Sequence, residues 1–154
     1  DINETAGDGL MIIFQEGEPA ANAASALAAA VDIRQTAAAF AAGLAPDEAG
    51  LLVNQGIASG AALLRPSRYR GASHTRITYT ASGPVTNLAA RLCDLATGGD
   101  ILVSGETRRL AGGLWSLHRR GAHRLKGLEE PVEAYSPLPP GRPAAELPAL
   151  GEEM

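Results

Sequence analysis

The chain has 154 residues, of which 45% are hydrophobic, so it can bury one ordinary core but not two full domains. Its formal net charge of -4 disfavours nucleic acid as a partner, because nucleic-acid-binding proteins carry broad basic surfaces. A single cysteine, Cys93, excludes an internal disulfide, and no apolar run reaches the roughly 20 residues that span a bilayer. We therefore expect a cytoplasmic domain without membrane contact from this segment. Because the chain starts at Asp1 without a signal peptide, we also expect it to be part of a longer protein.

The first predicted element is a buried strand at residues 10–14, a continuous apolar run that follows Gly7-Asp8-Gly9. This order places Asp8 at the tip of a hairpin. Most turn aspartates only hydrogen-bond their own backbone, but a turn carboxylate backed by a strand is also a suitable ligand for a hard cation such as Mg²⁺. The residues alone leave both interpretations open.

Residues 20–44 are mostly alanine and contain no proline, which predicts a long helix. At 100° per residue the larger apolar side chains fall into two groups on roughly opposite sides. One group is Leu27 and Val31, and the other is Ile33, Phe40 and Leu44. We therefore expect this helix to be covered on two sides.

The middle of the chain predicts strands and an exposed hairpin. Residues 51–57 and 61–64 have strand character interrupted by Gly60, residues 65–76 are polar and basic, and strand character returns at residues 77–80. Proline is tolerated at the first helical position, so Ser82-Gly83-Pro84 predicts a helix start, and Thr97-Gly98-Gly99 predicts its end. The later elements are a strand at 101–103, a short helix at 106–110, and strands at 114–117 and 132–135.

On the helix after Pro84, Asn87 and Arg91 lie side by side at the rim of an apolar stripe. The stripe consists of Leu88, Leu92 and Leu95. The plain interpretation is that Arg91 pairs with Asp94 three residues later and that Asn87 is solvated. The helix geometry alone does not establish a function for either side chain.

The segment 118–127 is rich in histidine, arginine and lysine, and a solvated basic loop is its usual explanation. The functional alternative is an anion site in which Lys126 acts as a point charge on phosphate. Prolines at 137–143 predict the end of the folded domain, which we place at residues 1–138, followed by a flexible Pro-rich tail at 139–154. The alternation of strands and helices predicts an α+β domain built on one sheet.

Five separated motifs, in this order, resemble those of the class III adenylate and guanylate cyclases over roughly residues 2–138. They are Glu-Thr-Ala-Gly-Asp-Gly-Leu-Met at 4–11, Gly-Ile-Ala-Ser-Gly at 56–60, Tyr-Thr-Ala-Ser-Gly-Pro-Val-Thr-Asn-Leu-Ala-Ala-Arg at 79–91, Gly-Asp-Ile-Leu-Val-Ser at 99–104 and His-Arg-Leu-Lys-Gly at 123–127. The resemblance implies a ferredoxin-like sheet with helices packed on it, without the family's first strand and helix. It also implies intracellular signalling through a cyclic nucleotide.

In this family the 3′-hydroxyl of ATP or GTP attacks its own α-phosphate and pyrophosphate leaves, with two Mg²⁺ or Mn²⁺ ions held by two aspartates. The resemblance makes Asp8 the second of these metal ligands. It makes Asn87 an orienter of the ribose, Arg91 a stabiliser of charge at the α-phosphate, and Lys126 a ligand of the triphosphate. Because such domains work as head-to-tail homodimers with composite sites, a lone monomer would be inactive.

The resemblance leaves the purine base open. Glu4 stands where adenylate cyclases usually carry lysine and suits the N–H donors of guanine, whereas Thr80 resembles a variant of bacterial adenylate cyclases. Pro84 and Thr86 also depart from the usual motif. The segment that normally carries the first metal aspartate is missing, and Asp1, which belongs to the strand before the hairpin, is not assigned its role. The alternative function is therefore a catalytically inactive module that dimerises or senses nucleotide.

Overall fold

The computed structural model describes residues 2–6, 9–45, 50–70, 75–138 and 150. The elements, in chain order, are β1 (Ile2–Ala6), β2 (Gly9–Ile12), α1 (Pro19–Ala42), β3 (Gln55–Ile57), β4 (Leu63–Arg70), β5 (Thr75–Ser82), α2 (Pro84–Leu95), β6 (Ile101–Ser104), α3 (Gly105–Ala111), β7 (Leu117–His123) and β8 (Val132–Pro137).

The central sheet has four strands in the order β3-β6-β8-β7. The β3 and β6 strands pair in parallel, and the other two pairs are antiparallel. Two further antiparallel pairs, β1 with β2 and β4 with β5, form separate two-stranded sheets. Strands and helices are mixed along the chain and the helices pack on the sheet, so the α+β prediction is confirmed.

β6 is the centre of the molecule because its two faces belong to different hydrophobic cores. Ile101 and Val103 pack with α1 and α3, whereas Leu102 packs with α2 and with Ala134 of β8. All of these side chains are buried. A strand that is buried on both faces is expected to be continuously apolar, as Ile101 to Val103 is.

The helix predicted at residues 20–44 is confirmed as α1, but the expected cover on two sides is wrong. Its buried residues lie along one side and are Ala23, Leu27, Ala30 and Ala37. Phe40, which we expected to be covered, is 58% exposed. The small alanines bring this one side close to the sheet, so the pattern of the large residues alone was misleading.

The basic segment after residue 117 is also different from the prediction. Residues 118–123 belong to β7, which pairs with β8, and are not a loop. The predicted strand at 114–117 therefore begins only at its last residue. The side chains of Arg119 and Glu133 add a bidentate ion pair across the two strands at 2.6 Å.

The remaining predictions about elements have mixed outcomes. The hairpin predicted over residues 65–76 exists as the β4–β5 pair, and the strand predicted from residue 51 is shortened to β3. β1 and β2 pair across the position predicted for Asp8, which itself lies outside the described residues. The predicted tail at 139–154 lies outside them too, except for Leu150. Among the described residues, no helix combines the length and apolar character needed to cross a membrane.

Candidate functional site

The candidate site is built around the passage from β5 into α2. Gly83 joins the two elements with a φ of 140°, a backbone angle that residues with a Cβ atom rarely adopt. Pro84 then opens the helix, and the Thr86 hydroxyl donates a hydrogen bond of 2.7 Å to the Gly83 carbonyl oxygen. The helix start predicted from Ser82-Gly83-Pro84 is thus confirmed, and both Pro84 and Thr86 serve its geometry.

α2 buries its apolar side against the sheet and leaves Asn87 and Arg91 at the rim. Leu92 and Leu95 are buried, and Leu88 packs partly against the same core, as predicted. Asn87 is exposed, and Arg91 lies one turn later on the same side of the helix. The structure therefore presents an amide and a guanidinium next to each other at the surface.

Arg91 also makes the ion pair that the plain interpretation predicts. Its Nη1 atom lies 3.2 Å from Oδ2 of Asp94, with the two side chains 37% and 61% exposed. An exposed pair of this kind contributes only about 0–1 kcal/mol to stability. The ion pair between Arg91 and Asp94 therefore costs little to break.

Gly56 determines how closely α2 approaches β3. A Cβ atom at this position would lie 2.1 Å from the carbonyl oxygen of Ala89 and 2.4 Å from the backbone nitrogen of Cys93. The Cys93 thiol donates to the Asn54 carbonyl oxygen at 3.3 Å, and burial, followed by the charge of Asp94, raises the pKa of this thiol. Cys93 is thus a packed, neutral thiol, and the prediction of a structural role is supported.

The loop after β3 lies next to the start of α2 and the start of α3. Ser59 Oγ lies 2.9 Å from Thr107 Oγ1, and Thr107 is fully buried. Thr107 also lies 3.0 Å from Ser104 Oγ, which caps α3. On the other side of the loop, a Cβ at Gly60 would touch Val85 of α2 at 3.4 Å. The hydroxyl cluster therefore links the loop after β3 to the start of α3, a contact that the sequence did not reveal.

Lys126 lies in the turn between β7 and β8. The residue before it, Leu125, is buried in the same core as Leu92 and Leu95 of α2. Lys126 itself is exposed. The structure thus places the turn that carries Lys126 against the helix that carries Arg91.

A buried ionic network that the sequence analysis missed ties the ends of three strands together. Arg120 forms an ion pair with Asp100, and their side chains are 7% and 1% exposed. Ser136 Oγ lies 2.7 Å from Oδ1 of Asp100, which also accepts from the backbone N–H of Ile101 at 2.8 Å. The sequence contained a signal, the polar Asp100 directly before an apolar strand, but the arginine partner was assigned to a loop.

Thr80 and Glu4 lie on strands that are in contact, since β1 packs against β5. Thr80 is half-buried. The structure describes the backbone of Glu4, opposite Met11, but not its side chain. Asp8, the predicted metal ligand, lies outside the described residues. Within those residues, no group of three or more His, Cys, Asp or Glu side chains is placed to hold a metal ion, so they do not by themselves form the expected site.

Comparison with known proteins relates the fold to one family. No protein-family profile and no curated protein matches the chain in sequence.

Among solved structures, the adenylyl cyclase CyaB from P. aeruginosa is similar with 25% identity and a TM-score of 0.74, over 90% of this chain and 71% of that chain. The guanylate cyclase domain of RhGC from Catenaria anguillulae, in complex with GTP, has 18% identity and a TM-score of 0.62, over 89% and 71%. A further guanylyl cyclase has 24% identity and a TM-score of 0.59, over 89% and 68%. The last two similarities concern the fold alone. The chain thus has the fold of the class III nucleotidyl cyclase catalytic domains, and its five motifs stand in the order that resembles theirs.

Proposed function

We propose that this chain is the catalytic part of an enzyme that makes a 3′,5′-cyclic nucleotide and pyrophosphate from ATP or GTP in intracellular signalling. One observation carries this proposal most directly. α2 buries Leu92 and Leu95 while presenting Asn87 and Arg91 one turn apart at the surface. Both polar groups are accessible to a ligand or to another subunit.

Arg91 is the group that we assign to the transition state. The 3′-oxygen loses its proton and bonds to the α-phosphorus as the bond to the leaving pyrophosphate breaks, so negative charge moves onto the phosphate oxygens. A guanidinium presents several N–H donors in a fixed plane, which suits this charge. Asn87 would orient the ribose through its amide, and Lys126 would hold the triphosphate as a compact positive charge.

The cofactor in this proposal is a pair of Mg²⁺ or Mn²⁺ ions, with Asp8 as one ligand. A carboxylate is the appropriate donor for such hard cations. When bound, the ions would neutralise phosphate charge and make the 3′-hydroxyl easier to deprotonate. Asp8 is the one ligand that we assign from this chain.

The proposed assembly is a head-to-tail homodimer. One protomer would supply Asp8, and its partner would supply Asn87 and Arg91. The surface position of the last two residues is compatible with a site that is completed by another subunit. Because the interface would be two-fold symmetric, each dimer would contain two equivalent sites.

The test is an assay of cyclic nucleotide formation by mass spectrometry, with Mg²⁺ or Mn²⁺ and with ATP or GTP. We expect Arg91→Ala to lower kcat by about 100-fold or more, because it removes a donor that acts mainly in the transition state. The matched control is Arg109→Ala, which removes an arginine from an exposed pair with Glu106 on α3, far from α2 in sequence. This control should keep nearly full activity.

A wild-type protein that forms no cyclic product under any of these conditions would overturn the proposal. Binding of nucleotide without turnover would then identify the alternative, an inactive module that senses nucleotide. Equal losses in Arg91→Ala and Arg109→Ala would show a general effect of charge and remove the assignment of Arg91.

A further inference from the structure

Arg65 lies directly opposite Thr80 in the β4–β5 pair. Side chains at directly opposed positions of an antiparallel pair project from the same face, with Cβ atoms about 4.5–5.5 Å apart. Arg65 is exposed and Thr80 is half-buried. A ligand that contacts the Thr80 hydroxyl therefore lies within reach of the Arg65 guanidinium.

No carboxylate lies close to Arg65 along the chain. Residues 49–93 include five arginines and neither aspartate nor glutamate. Within the part of the chain that the structure describes, Arg65 makes no ion pair or side-chain hydrogen bond. Its N–H donors are therefore available for acceptors of a ligand.

We propose that Arg65 is a specificity residue that donates hydrogen bonds to O6 and N7 of guanine and makes GTP the preferred substrate. This inference rests on the proposed cyclase function and on Thr80 contacting the base. Guanine presents two adjacent acceptors, O6 and N7, which match the planar fork of arginine. Adenine presents N7 beside an amino group, and that donor opposes a guanidinium N–H.

Glu4 adds a second feature that favours guanine. It lies on β1, which packs against β5, the strand that carries Thr80. A carboxylate can accept from N1–H and from the amino group of guanine, on the edge of the ring that Arg65 would leave free. The Thr80 hydroxyl both donates and accepts, so it fits either base and does not oppose this assignment.

The same ribbon provides a matched control. Arg68 lies opposite Ile77, on the other face of the β4–β5 pair from Arg65 and Thr80. It is exposed like Arg65 and makes no ion pair within the described ranges. Arg68→Ala thus removes the same charge from the same ribbon without approaching Thr80.

The experiment compares kcat/KM for GTP and for ATP in the wild type, Arg65→Ala and Arg68→Ala. We expect Arg65→Ala to lower kcat/KM for GTP by about 10-fold or more, the value of one good bidentate contact, and to leave the value for ATP within about twofold. Arg68→Ala should leave the ratio of the two substrates unchanged. Equal losses for GTP and ATP in Arg65→Ala, or an unchanged ratio, would overturn the inference.

A binding measurement separates this inference from the proposed function. Fluorescent analogues of GTP and ATP are titrated into the same three proteins, and the ratio of the two dissociation constants is determined. If turnover is absent but Arg65→Ala alone removes a preference for the GTP analogue, the base assignment stands and the catalytic proposal fails. If the wild-type protein has no preference for the GTP analogue, the base assignment is wrong whatever the activity.

Discussion

At Gly56, the absence of a Cβ atom allows the close contact between β3 and α2. Its missing Cβ would meet backbone atoms of Ala89 and Cys93 at 2.1 and 2.4 Å, and backbone atoms of a helix cannot move aside singly. We expect Gly56→Ala to lower the free energy of unfolding by about 3 kcal/mol, at the upper end of overpacking effects. Urea denaturation followed by circular dichroism measures this change.

Gly105→Ala is the control for this substitution. The nearest side-chain atom that a Cβ would meet there is Cε2 of Tyr135 at 4.0 Å, and Gly105 opens α3. Alanine favours a helix by up to about 1 kcal/mol over glycine, so this variant should be neutral or slightly more stable. An equal urea midpoint for Gly56→Ala and the wild type would disprove the close contact between β3 and α2.

At the residue scale, the sequence predicted those interactions that involve residues close together along the chain. The pairing of Arg91 with Asp94 and the packing of Cys93 both follow from positions on one helix, and both are observed. The contact between Ser59 and Thr107, 48 residues apart, depends on tertiary structure. No periodicity within the sequence indicates such a pair.

At the element scale, the main difference from the prediction is β7, because its composition predicts a basic loop. Its residues alternate poorly because the register with β8 shifts between Arg119 and Gly121. A bulge of this kind breaks the period of two on which strand prediction depends. β7 nevertheless pairs with β8, and two ion pairs, between Arg119 and Glu133 and between Arg120 and Asp100, link it to its neighbours.

The pair between Arg119 and Glu133 should make the β7–β8 pairing sensitive to acid. Hydrogen bonds from Arg119, and then its charge, hold the pKa of Glu133 below its ordinary value. A carboxylate with a lowered folded-state pKa contributes stability above its unfolded pKa, about 4.3, and loses it as the pH falls through the folded value. We expect Glu133→Gln to be slightly less stable than the wild type at pH 7, with a urea midpoint difference that shrinks as the pH falls through the folded-state pKa of Glu133.

The control for the acid effect is Glu130→Gln. Glu130 is exposed in the same turn region and forms no ion pair with any residue that the structure describes. Its urea midpoint should follow that of the wild type across the pH range. A difference between Glu133→Gln and the wild type that persists unchanged at pH 3 would rule out the ion pair as its cause.

At the scale of the whole molecule, β6 contributes side chains to two hydrophobic cores, one on each of its faces. α1 and α3 cover one face and α2 covers the other. The sequence predicted the α+β class, because strands and helices alternate along it, and the order of its motifs predicted the family. It did not predict the strand order β3-β6-β8-β7, since three of the four strands lie far from β3 along the chain and are paired by packing.

The proposed dimer makes its own prediction, because two inactive variants should restore activity to each other. Asp8→Asn removes the proposed metal ligand, and Arg91→Ala removes the proposed transition-state group. In a head-to-tail heterodimer of the two, one composite site loses both residues and the other retains both. Random exchange in an equal mixture makes half of the dimers mixed, so activity should recover to about a quarter of the wild-type value.

The measurement is the rate of cyclic product formation after the two variants are mixed and equilibrated, compared with each variant alone. A mixture of Arg91→Ala with Asn87→Ala is the control, because both changes lie on the same side of the composite site and no intact site can form. Recovery in the first mixture but not in the second requires that Asp8 and Arg91 come from different protomers. If neither mixture recovers while the wild type is active, both residues act within one chain, and the head-to-tail arrangement is wrong.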